Sequence, residues 1–322
     1  DGTTATMPDT PENQGVFPQH GNQQPGLGAP IVRMTGLFCT ATGAVLDVAL
    51  GPCRGKNSDE QAHLRMLLAG LEAGDVLLGD ALFPSYWLLA ELRQRGVEGV
   101  FDQHAARRAR IDFRRGRRLG RGDHVIVLER PAQRPPWMSL ERYRALPRRL
   151  ELRETRIGEG RKCKTLISTM LEAKAVPASA LKNLYKKRWG VELNLRDIKT
   201  TLGMEMLSCK SPSMVAKEIW IHLLAYNLMR LLMVQAAIEV GREPRSISFK
   251  HTLQLWLAWQ CRRVPLEGEG IRTMLALVAQ HTVGNRPGRI EPRAVKRRPK
   301  PFARLWAPRA QARAHVRRHG HA

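Results

Sequence analysis

Four residue types that can bind phosphate or a metal ion stand at fixed spacing in one segment: Tyr185, Arg188, Glu192 and Lys199. On a helix turning about 100° per residue, they and Arg196 share a stripe roughly 80° wide. The simplest interpretation is two ion pairs, Arg188–Glu192 and Glu192–Arg196, each worth about 0.2–0.5 kcal/mol. A carboxylate surrounded by cations can also bind a divalent metal while its neighbours hold a phosphate. The spacing alone leaves both interpretations open.

Two further carboxylates could complete a metal site. Asp80 ends the apolar run Val76-Leu-Leu-Gly-Asp80, as expected at the end of a buried strand, and Asp1 is the first residue. Taken alone, Asp80 could equally cap the next turn, and a terminal acid such as Asp1 more often has no function. Asp47 and Asp75 also lie near predicted strand ends. The residues by themselves therefore do not select one set of ligands.

The elements that would position these carboxylates alternate between strands and helices. In chain order, the patterns predict strands over residues 1–7, 31–40 and 44–50, a helix over 58–74, a strand over 76–80, a helix over 85–96 and a strand over 97–101. A polar loop over residues 8–30 joins the first two strands. This order predicts a ribonuclease-H-like α/β fold, in which helices cover a mixed sheet.

The composition changes after residue 103. Between Arg107 and Arg121 there are eight arginines and one acid, Asp112. Strand-like runs follow over residues 124–129, 150–157 and 164–169, so we expect a β-rich basic insertion. Helices are predicted again over residues 178–201, 214–240, 249–261 and 270–281. The segment from Arg286 to Arg318 carries twelve Lys or Arg, one acid and five prolines, and is predicted to be an extended basic tail.

The predicted organisation has five parts. They are the first part of the ribonuclease-H-like core (1–103), the β-rich basic insertion (104–176), the catalytic helix that completes the core (177–205), a helical C-terminal region (206–284) and the basic tail (285–322).

The charge balance points to a polyanionic partner. The chain has 53 Lys and Arg against 29 Asp and Glu, a formal charge of +24. Such a charge repels itself unless a polyanion neutralises it, so nucleic acid is the leading partner and an anionic membrane surface the weaker one. The arginine run 107–121 and the basic tail could each be solvated surface, but their density favours phosphate contacts.

Cysteine usage and hydropathy narrow the class of protein further. The five cysteines are widely spaced with no CxxC pair, which argues against a disulfide framework or a zinc site and favours a reducing cytosol. Residues 219–240 form the most apolar stretch but include His222, Arg230 and Glu239. Since charge at bilayer depth costs about 2.5–3.5 kcal/mol per residue, we expect a buried core helix rather than a membrane span. His222, Tyr226 and Arg230 are expected to form a polar seam within its packing.

The motif Tyr185-x2-Arg188-x3-Glu192-x6-Lys199 resembles the Y-R-E-K signature of bacterial insertion-sequence transposases of the DDE class. The resemblance extends along essentially the whole chain. The other matching segments are Asp1-Gly-Thr, Pro8-Asp-Thr-Pro-Glu-Asn13, Gly79-Asp80-x-x-Phe83-x-Ser85-Tyr86, His222-Leu-Leu-Ala-Tyr-Asn227 and Arg286-Pro-Gly-Arg-Ile-Glu-Pro-Arg293.

The resemblance implies a site and a reaction. It makes Asp1, Asp80 and Glu192 the three catalytic acids, which bind two Mg²⁺ or Mn²⁺ ions on a ribonuclease-H-like domain that a β insertion interrupts. It implies that the transposon is cut at its ends and rejoined elsewhere by metal-dependent hydrolysis and strand transfer.

The resemblance also implies DNA-binding residues and partners. The residues are Tyr185, Arg188, Trp189, Arg196 and Lys199, where Trp189 is a candidate for stacking on a distorted base and a core tryptophan is the alternative. The partners are double-stranded DNA at the terminal inverted repeats and at the target, with a dimer on the DNA ends and no membrane, in the bacterial cytoplasm near the nucleoid.

Two departures from the family pattern stand out. Leu82 occupies a position where the family usually has Gly or Ala, and the chain begins at Asp1 without the family's N-terminal DNA-binding region. Three functions therefore compete: a metal-dependent DDE transposase, an N-terminally truncated and catalytically inactive DNA-binding remnant of one, and another kind of ribonuclease-H-like nuclease. The complete motif from Tyr185 to Lys199 favours the first over the third.

Overall fold

The computed structural model describes residues 1–56, 58–160, 163–262, 267–284 and 307–320. The chain folds as two units, one formed by residue 1 with residues 64–189 and the other by residues 2–63 with the chain from residue 190 onward. Each unit has its own sheet and its own cluster of buried apolar side chains. The two units are described separately below.

The unit that contains residues 2–63 has a three-stranded antiparallel sheet. Its strands, in spatial order, are β1 (Gly2–Thr6), β2 (Ile31–Phe38) and β3 (Val45–Pro52). The predicted hairpin turn lies between β2 and β3, where Gly43 has a φ of 80° that a residue with a Cβ rarely adopts. The three predicted N-terminal strands are thus present, in the predicted order.

Helices form most of the other residues that the structure describes in this unit. They are α1 (Pro11–Val16), α2 (Glu60–Leu67), α7 (Trp189–Arg196), α8 (Pro212–Glu239), α9 (Phe249–Arg262), α10 (Glu269–Gln280) and α11 (Arg309–His319), with α2 and α7 each crossing into residues of the other unit. The sheet and α8 to α10 share one apolar core, in which Val32 and Met34 of β2 belong to the same cluster as Ile219 and Met233 of α8.

The predicted core helix over residues 214–240 is α8, and one of its faces is buried as expected. It is also the one helix among the described residues that is long and apolar enough to cross a membrane by length and composition. Of the predicted polar seam, Tyr226 and Arg230 are buried and hydrogen-bonded, whereas His222 is only partly buried.

The other unit has a six-stranded mixed sheet. Its strands, in spatial order, are β4 (Val76–Gly79), β5 (Glu98–Asp102), β9 (Lys164–Ser168), β8 (Arg149–Ile157), β7 (Asp123–Glu129) and β6 (Arg117–Gly120). Strands β4 and β5 are parallel because α3 (Tyr86–Gln94) connects them, whereas the other pairs are antiparallel. Three short or medium helices complete the unit: α4 (Ala105–Arg108), α5 (Leu140–Ala145) and α6 (Ala178–Lys186).

The predicted α/β class with a mixed sheet is confirmed, but the strands form two separate sheets rather than a single core sheet. Strands β4 and β5 pair with strands from residues 104–176, and β1 to β3 form their own sheet. The reason lies in complementary apolar strands: Phe101 of β5 pairs in register with Ile167 of β9, and both side chains are buried.

The single helix predicted over residues 178–201 is wrong in detail. Helix α6 ends at Lys186, α7 begins at Trp189, and residues Asp197–Thr201 form a π-helical turn. In the first turn of α7, the Arg245 side chain donates a hydrogen bond to the Gly190 carbonyl at 3.0 Å. A Cβ at residue 190 would collide with this guanidinium. The break itself lies at Lys187 and Arg188, whose backbone N–H groups bond to the carbonyls three residues back, those of Leu184 and Tyr185.

Two other predictions need correction. The loop predicted over residues 8–30 contains α1, whose start carries a Thr10 side chain that accepts from the Asn13 N–H and a Pro at the first helical position. The extended tail is wrong for Arg309–His319, which is α11: its prolines all precede this segment, and Arg, Ala and Gln are good helix formers. Residues 285–306 of the tail lie outside the described residues.

Candidate active site

Two carboxylates stand at the same edge of the mixed sheet. Asp80 directly follows β4, and Asp102 is the last residue of β5. Because β4 and β5 are parallel and Gly79 pairs in register with Phe101, Asp80 and Asp102 occupy equivalent places at the carboxyl ends of the strands. Ligands of open α/β sheets bind at such edges.

The two carboxylates have different partners. Asp80 Oδ1 accepts a hydrogen bond from the backbone N–H of Leu82 at 2.8 Å, so the side chain caps the turn after β4. Asp102 is buried and accepts from Arg108 Nη2 at 3.0 Å and Lys164 Nζ at 3.1 Å. Leu82 stands where the family usually has Gly or Ala. Its side chain is exposed, so its larger size does not disturb this turn.

Tyr185 is buried beside these acids at the end of α6. Burial raises the pKa of its hydroxyl to about 12, the negative charges of Asp102 and Asp80 add to the rise, and Arg188 opposes it. The hydroxyl therefore stays protonated at physiological pH and remains able to donate a hydrogen bond. Lys164 Nζ lies 5.8 Å from the ring centroid, which adds a cation–π contact.

Arg188 connects Tyr185 to the first residue of the chain. Its Nη1 donates to Asp1 Oδ2 at 3.3 Å, and its guanidinium carbon lies 5.9 Å from the Tyr185 ring centroid. Both side chains of the ion pair are mostly covered, at 16% and 23% exposure. Three residues selected from the sequence, Asp1, Tyr185 and Arg188, are thus brought together, and the charge of Asp80 acts on the same hydroxyl.

Helix α7 carries Glu192 in its first turn, and Trp189 precedes it by three residues. The Trp189 side chain is 60% exposed, so the alternative of a core tryptophan is wrong. Its proposed stacking on a base remains a prediction. Arg196, the last residue of α7, is exposed and lies 3.7 Å from Asp197 Oδ1 through its Nη2. Lys199 lies in the π-helical turn that follows.

A buried polar network holds α7 in place within its unit. Arg230 Nη2 of α8 donates to Asn194 Oδ1 at 3.2 Å and to Asp197 Oδ2 at 3.1 Å. Arg230 Nε donates to the Tyr226 hydroxyl at 2.8 Å, which in turn donates to the Gly43 carbonyl at 2.7 Å. The polar residues of α8 thus fix the turns that follow Glu192.

Burial shifts the pKa values of several groups in this network. It raises the pKa of the Asp197 carboxyl, although Arg230 and Arg196 oppose the rise. It also raises the pKa of Tyr226 to about 12. Arg245 adds a second hydrogen bond to Asn194 Oδ1 at 3.1 Å, and burial lowers the pKa of its guanidinium. Two arginines and one acid therefore share a site with little access to water, as positioning groups do.

The arginine run between residues 107 and 121 forms a basic surface on the mixed-sheet unit. Arg114 and Arg115 are 91% and 88% exposed and share Asp112, while Arg117 and Arg118 are exposed on the edge strand β6. Arg107 and Arg108 turn inward to Glu154 and Asp102. The outward arginines can contact phosphates, whereas Arg107 and Arg108 support the sheet.

The chemistry of the predicted ligands suits a hard divalent ion. Asp1, Asp80 and Glu192 offer only carboxylate oxygens, the donors that Mg²⁺ and Mn²⁺ prefer. Within the described ranges, no three His, Cys, Asp or Glu side chains form a group that could hold a metal ion. The donor types fit the ion, and the assignment of these three acids as a joint site stays a prediction.

The Transposase DDE domain family matches residues 1–228. The chain therefore belongs to the DDE transposase family, whose members are DNA transposases that use divalent metal ions.

Two known proteins illustrate the similarity. The chain is 30% identical over 316 residues to the transposase InsG for insertion sequence element IS4 of Escherichia coli (strain K12), across 93% of this chain and 67% of the relative. A solved piggyBac transposase synaptic complex with hairpin DNA matches with 11% identity and a TM-score of 0.47. That match covers 89% of this chain, which spans 57% of the piggyBac chain.

One residue of the site was missed in the sequence. Asp102 follows the apolar run Val97–Phe101 in the same way as Asp80 follows its strand, so the same signal was present. What the sequence did not show is that Asp102 binds Lys164 and Arg108 beside Tyr185, because those residues are separated from it by up to 62 positions.

Proposed function

We propose that this transposase catalyses metal-dependent phosphodiester hydrolysis and strand transfer at the ends of an insertion sequence, by cut-and-paste. The observation that supports the proposal most strongly is the cluster of Asp1, Arg188 and Tyr185, within the charge field of Asp80. Each group has a use in phosphodiester cleavage. The acid can bind a metal ion, the cation can bind a phosphate oxygen, and the protonated hydroxyl can donate a hydrogen bond.

The roles follow from the chemistry of each side chain. Asp1, Asp80 and Glu192 would hold two divalent ions. Such ions, when bound, activate the attacking oxygen and stabilise the leaving oxygen of an in-line displacement. Arg188 and Lys199 bind phosphate oxygens next to the scissile bond, and the Tyr185 hydroxyl donates a hydrogen bond there. The exposed Trp189 stacks on an unpaired base, a contact worth about 1–3 kcal/mol.

The partners follow from the same surfaces. Double-stranded DNA, as terminal inverted repeats and as target, is held by the motif residues at the cut and by the outward arginines of residues 107–121 away from it. Arg196, exposed at the end of α7, adds a further phosphate contact. We place this activity in the bacterial cytoplasm, associated with the nucleoid, on two DNA ends held by a dimer.

A DNA-binding protein without catalysis is the second candidate. The observation that favours it is the lack of a three-ligand cluster among the residues that the structure describes. Such a protein would bind DNA through the same arginines, with normal salt dependence, but would leave the phosphodiester intact.

The experiment that separates these candidates compares cleavage with binding. The intact chain is incubated with labelled duplexes of the inverted repeats that flank its gene, with Mg²⁺, Mn²⁺ or EDTA. We expect strand cleavage only with metal, its loss in Glu192→Gln, and unchanged duplex binding in that variant. Asp75→Asn is the matched control, since Asp75 also lies beside a strand but outside the cluster, and it should cleave normally. Cleavage that persists in Glu192→Gln would contradict the assignment.

A further inference from the structure

Helix α8 has a second apolar face, which the residues that the structure describes leave exposed. Its inner face packs in the core through residues such as Ile219 and Met233. Its outer face is exposed at intervals of three and four residues, and this set is called the α8 seam. The members of the seam are Met214, Lys217, Ile221, Leu224, Leu228, Leu231, Gln235 and Ile238.

The spacing of the α8 seam is that of a coiled-coil interface. Intervals of three and four alternate without a break along eight positions, over about 36 Å of helix. Six of the eight positions are apolar, and the other two are Lys217, near the N-terminal end, and Gln235, which lies between apolar members. A heptad pattern of this kind places its side chains against a partner helix, and a single polar member commonly fixes register.

The size of the exposed surface suits a partner. The six apolar members are between 47 and 73% exposed. A large apolar side chain has a surface on the order of 150 Å², so the six side chains together expose roughly 500 Å². This area is at the upper end of the apolar patches that monomeric soluble proteins expose. Two such surfaces facing each other would bury about 1,000 Å², which reaches the lower limit for a specific protein interface. Trp220, 48% exposed beside the seam, enlarges it.

The charge of the seam excludes DNA as its partner. From residue 219 to residue 238 the chain has one Lys or Arg, the buried Arg230, and no acid, although the protein as a whole carries +24. Within that stretch a phosphate backbone would find no exposed cation, and Lys217, near the N-terminal end, is the single exposed cation of the whole seam. A second copy of the same face would meet no repulsion, and two equal heptad faces are self-complementary about a two-fold axis.

We propose that the α8 seam is the surface through which two copies of this chain associate. The inference adds a partner surface to the proposed function, which needs two copies for two DNA ends, but it uses only the geometry of α8. The proposed dimer contact is apolar, whereas the surface formed by residues 107–121 is rich in arginine. Association should therefore persist at salt concentrations that remove DNA.

The test measures the mass of the intact chain by sedimentation equilibrium, after nuclease treatment and at high salt. We expect a dimer of twice the 36.3 kDa chain mass. Leu228→Glu combined with Leu231→Glu should raise the dimer dissociation constant by about 100-fold or more, because four carboxylates would be desolvated together. The matched control is Leu257→Glu, at a 56% exposed position of α9, which should leave the dimer unchanged.

Far-UV circular dichroism and urea unfolding verify that the double variant is folded, which is expected since both side chains point outward. If the double variant unfolds, Gln235→Glu, at an exposed polar seam position, replaces it with the same expected direction. A wild-type chain that is monomeric at 100 µM protein overturns the proposal, as does a dimer that the folded seam variants leave intact. A third outcome is a wild-type chain that is monomeric in solution, that floats with phosphatidylglycerol vesicles, and whose seam variant no longer floats with them. This outcome overturns the proposal in favour of a membrane surface.

The two proposals fail separately. A seam-dependent dimer that cleaves no transposon ends removes the proposed function and leaves the interface. Normal cleavage by a protein that stays monomeric on both ends removes the interface and leaves the function.

Discussion

Arg188 Nη1 lies 3.3 Å from Asp1 Oδ2, so a cation proposed to hold phosphate is paired with an acid proposed to hold a metal ion. A metal ion at Asp1 would compete with Arg188 for the Asp1 carboxylate, and a phosphate would compete with Asp1 for the Arg188 guanidinium. Since the pair is mostly covered, its charges are less screened than those of a surface pair. Ion binding and DNA binding should be coupled through this contact.

Removing the Asp1 charge tests that coupling. In Asp1→Asn, Arg188 no longer faces the negative charge of Asp1, and we expect the affinity for end DNA without metal to rise about three- to tenfold, that is about 0.7–1.4 kcal/mol. The stimulation of DNA binding by Mn²⁺ should disappear. Fluorescence anisotropy with and without Mn²⁺ measures both, and Asp75→Asn serves as the control. Unchanged affinity in Asp1→Asn would show that the ion pair does not restrain Arg188.

The raised pKa of Tyr185 gives a second prediction. Its ordinary value is 10 and its value in the folded chain is about 12, so the folded state holds the proton more tightly than the unfolded state. The resulting stability is complete below pH 10 and is lost between pH 10 and 12, at about 1.4 kcal/mol per pH unit. Tyr226 has the same raised pKa and contributes in the same direction.

Tyr185→Phe separates the two tyrosines. Urea unfolding at pH 9 and pH 11 should show a smaller loss of unfolding free energy for Tyr185→Phe than for wild type. At pH 8 the variant should be folded but should cleave end DNA more slowly, since the hydrogen-bond donor is gone. An unchanged dependence of stability on pH would contradict the burial of this hydroxyl.

The buried pair of Arg230 and Asp197 gives a third prediction. Arg230→Met leaves Asp197 without its buried cation, and we expect a loss of about 3–5 kcal/mol in unfolding free energy. Arg230→Met combined with Asp197→Leu should recover part of that loss, because the buried carboxylate that lost its hydrogen-bonded cation is then also removed. A double-mutant cycle by urea unfolding measures the coupling. Additive effects would mean that the two residues do not stabilise the turn after α7 together.

The sequence predicted most of the fold that carries the site. The alternation of strands and helices through β5 follows local patterns, so these elements and the place of Asp80 could be predicted. The interruption between α6 and α7 could not, because Lys187 and Arg188, where the hydrogen bonds change to three-residue spacing, are both good helix formers. The outer face of α8 was also missed, since a stretch that is apolar on both faces looks like any buried helix.

The outward arginines of β6 give a fourth prediction. Neutralising Arg117 and Arg118 together with Gln should reduce the slope of log K against log[salt] by about 1.8, which corresponds to two phosphate contacts. The matched control neutralises Arg95 and Arg142, which both pair with Glu91 and so have little charge to offer DNA. Random duplex and end duplex should lose affinity equally. A slope that does not change would place the DNA on another surface.

The central claim is that Asp80 and Glu192 take part in one divalent-ion site on bound DNA, and Mn²⁺ binding measured by electron paramagnetic resonance tests it most directly. The intact chain on end duplex should bind two Mn²⁺ ions per chain, as should Asp75→Asn, whereas Asp80→Asn and Glu192→Gln should each lose ion binding and keep the DNA. Wild-type Mn²⁺ binding in either Asp80→Asn or Glu192→Gln would contradict the account.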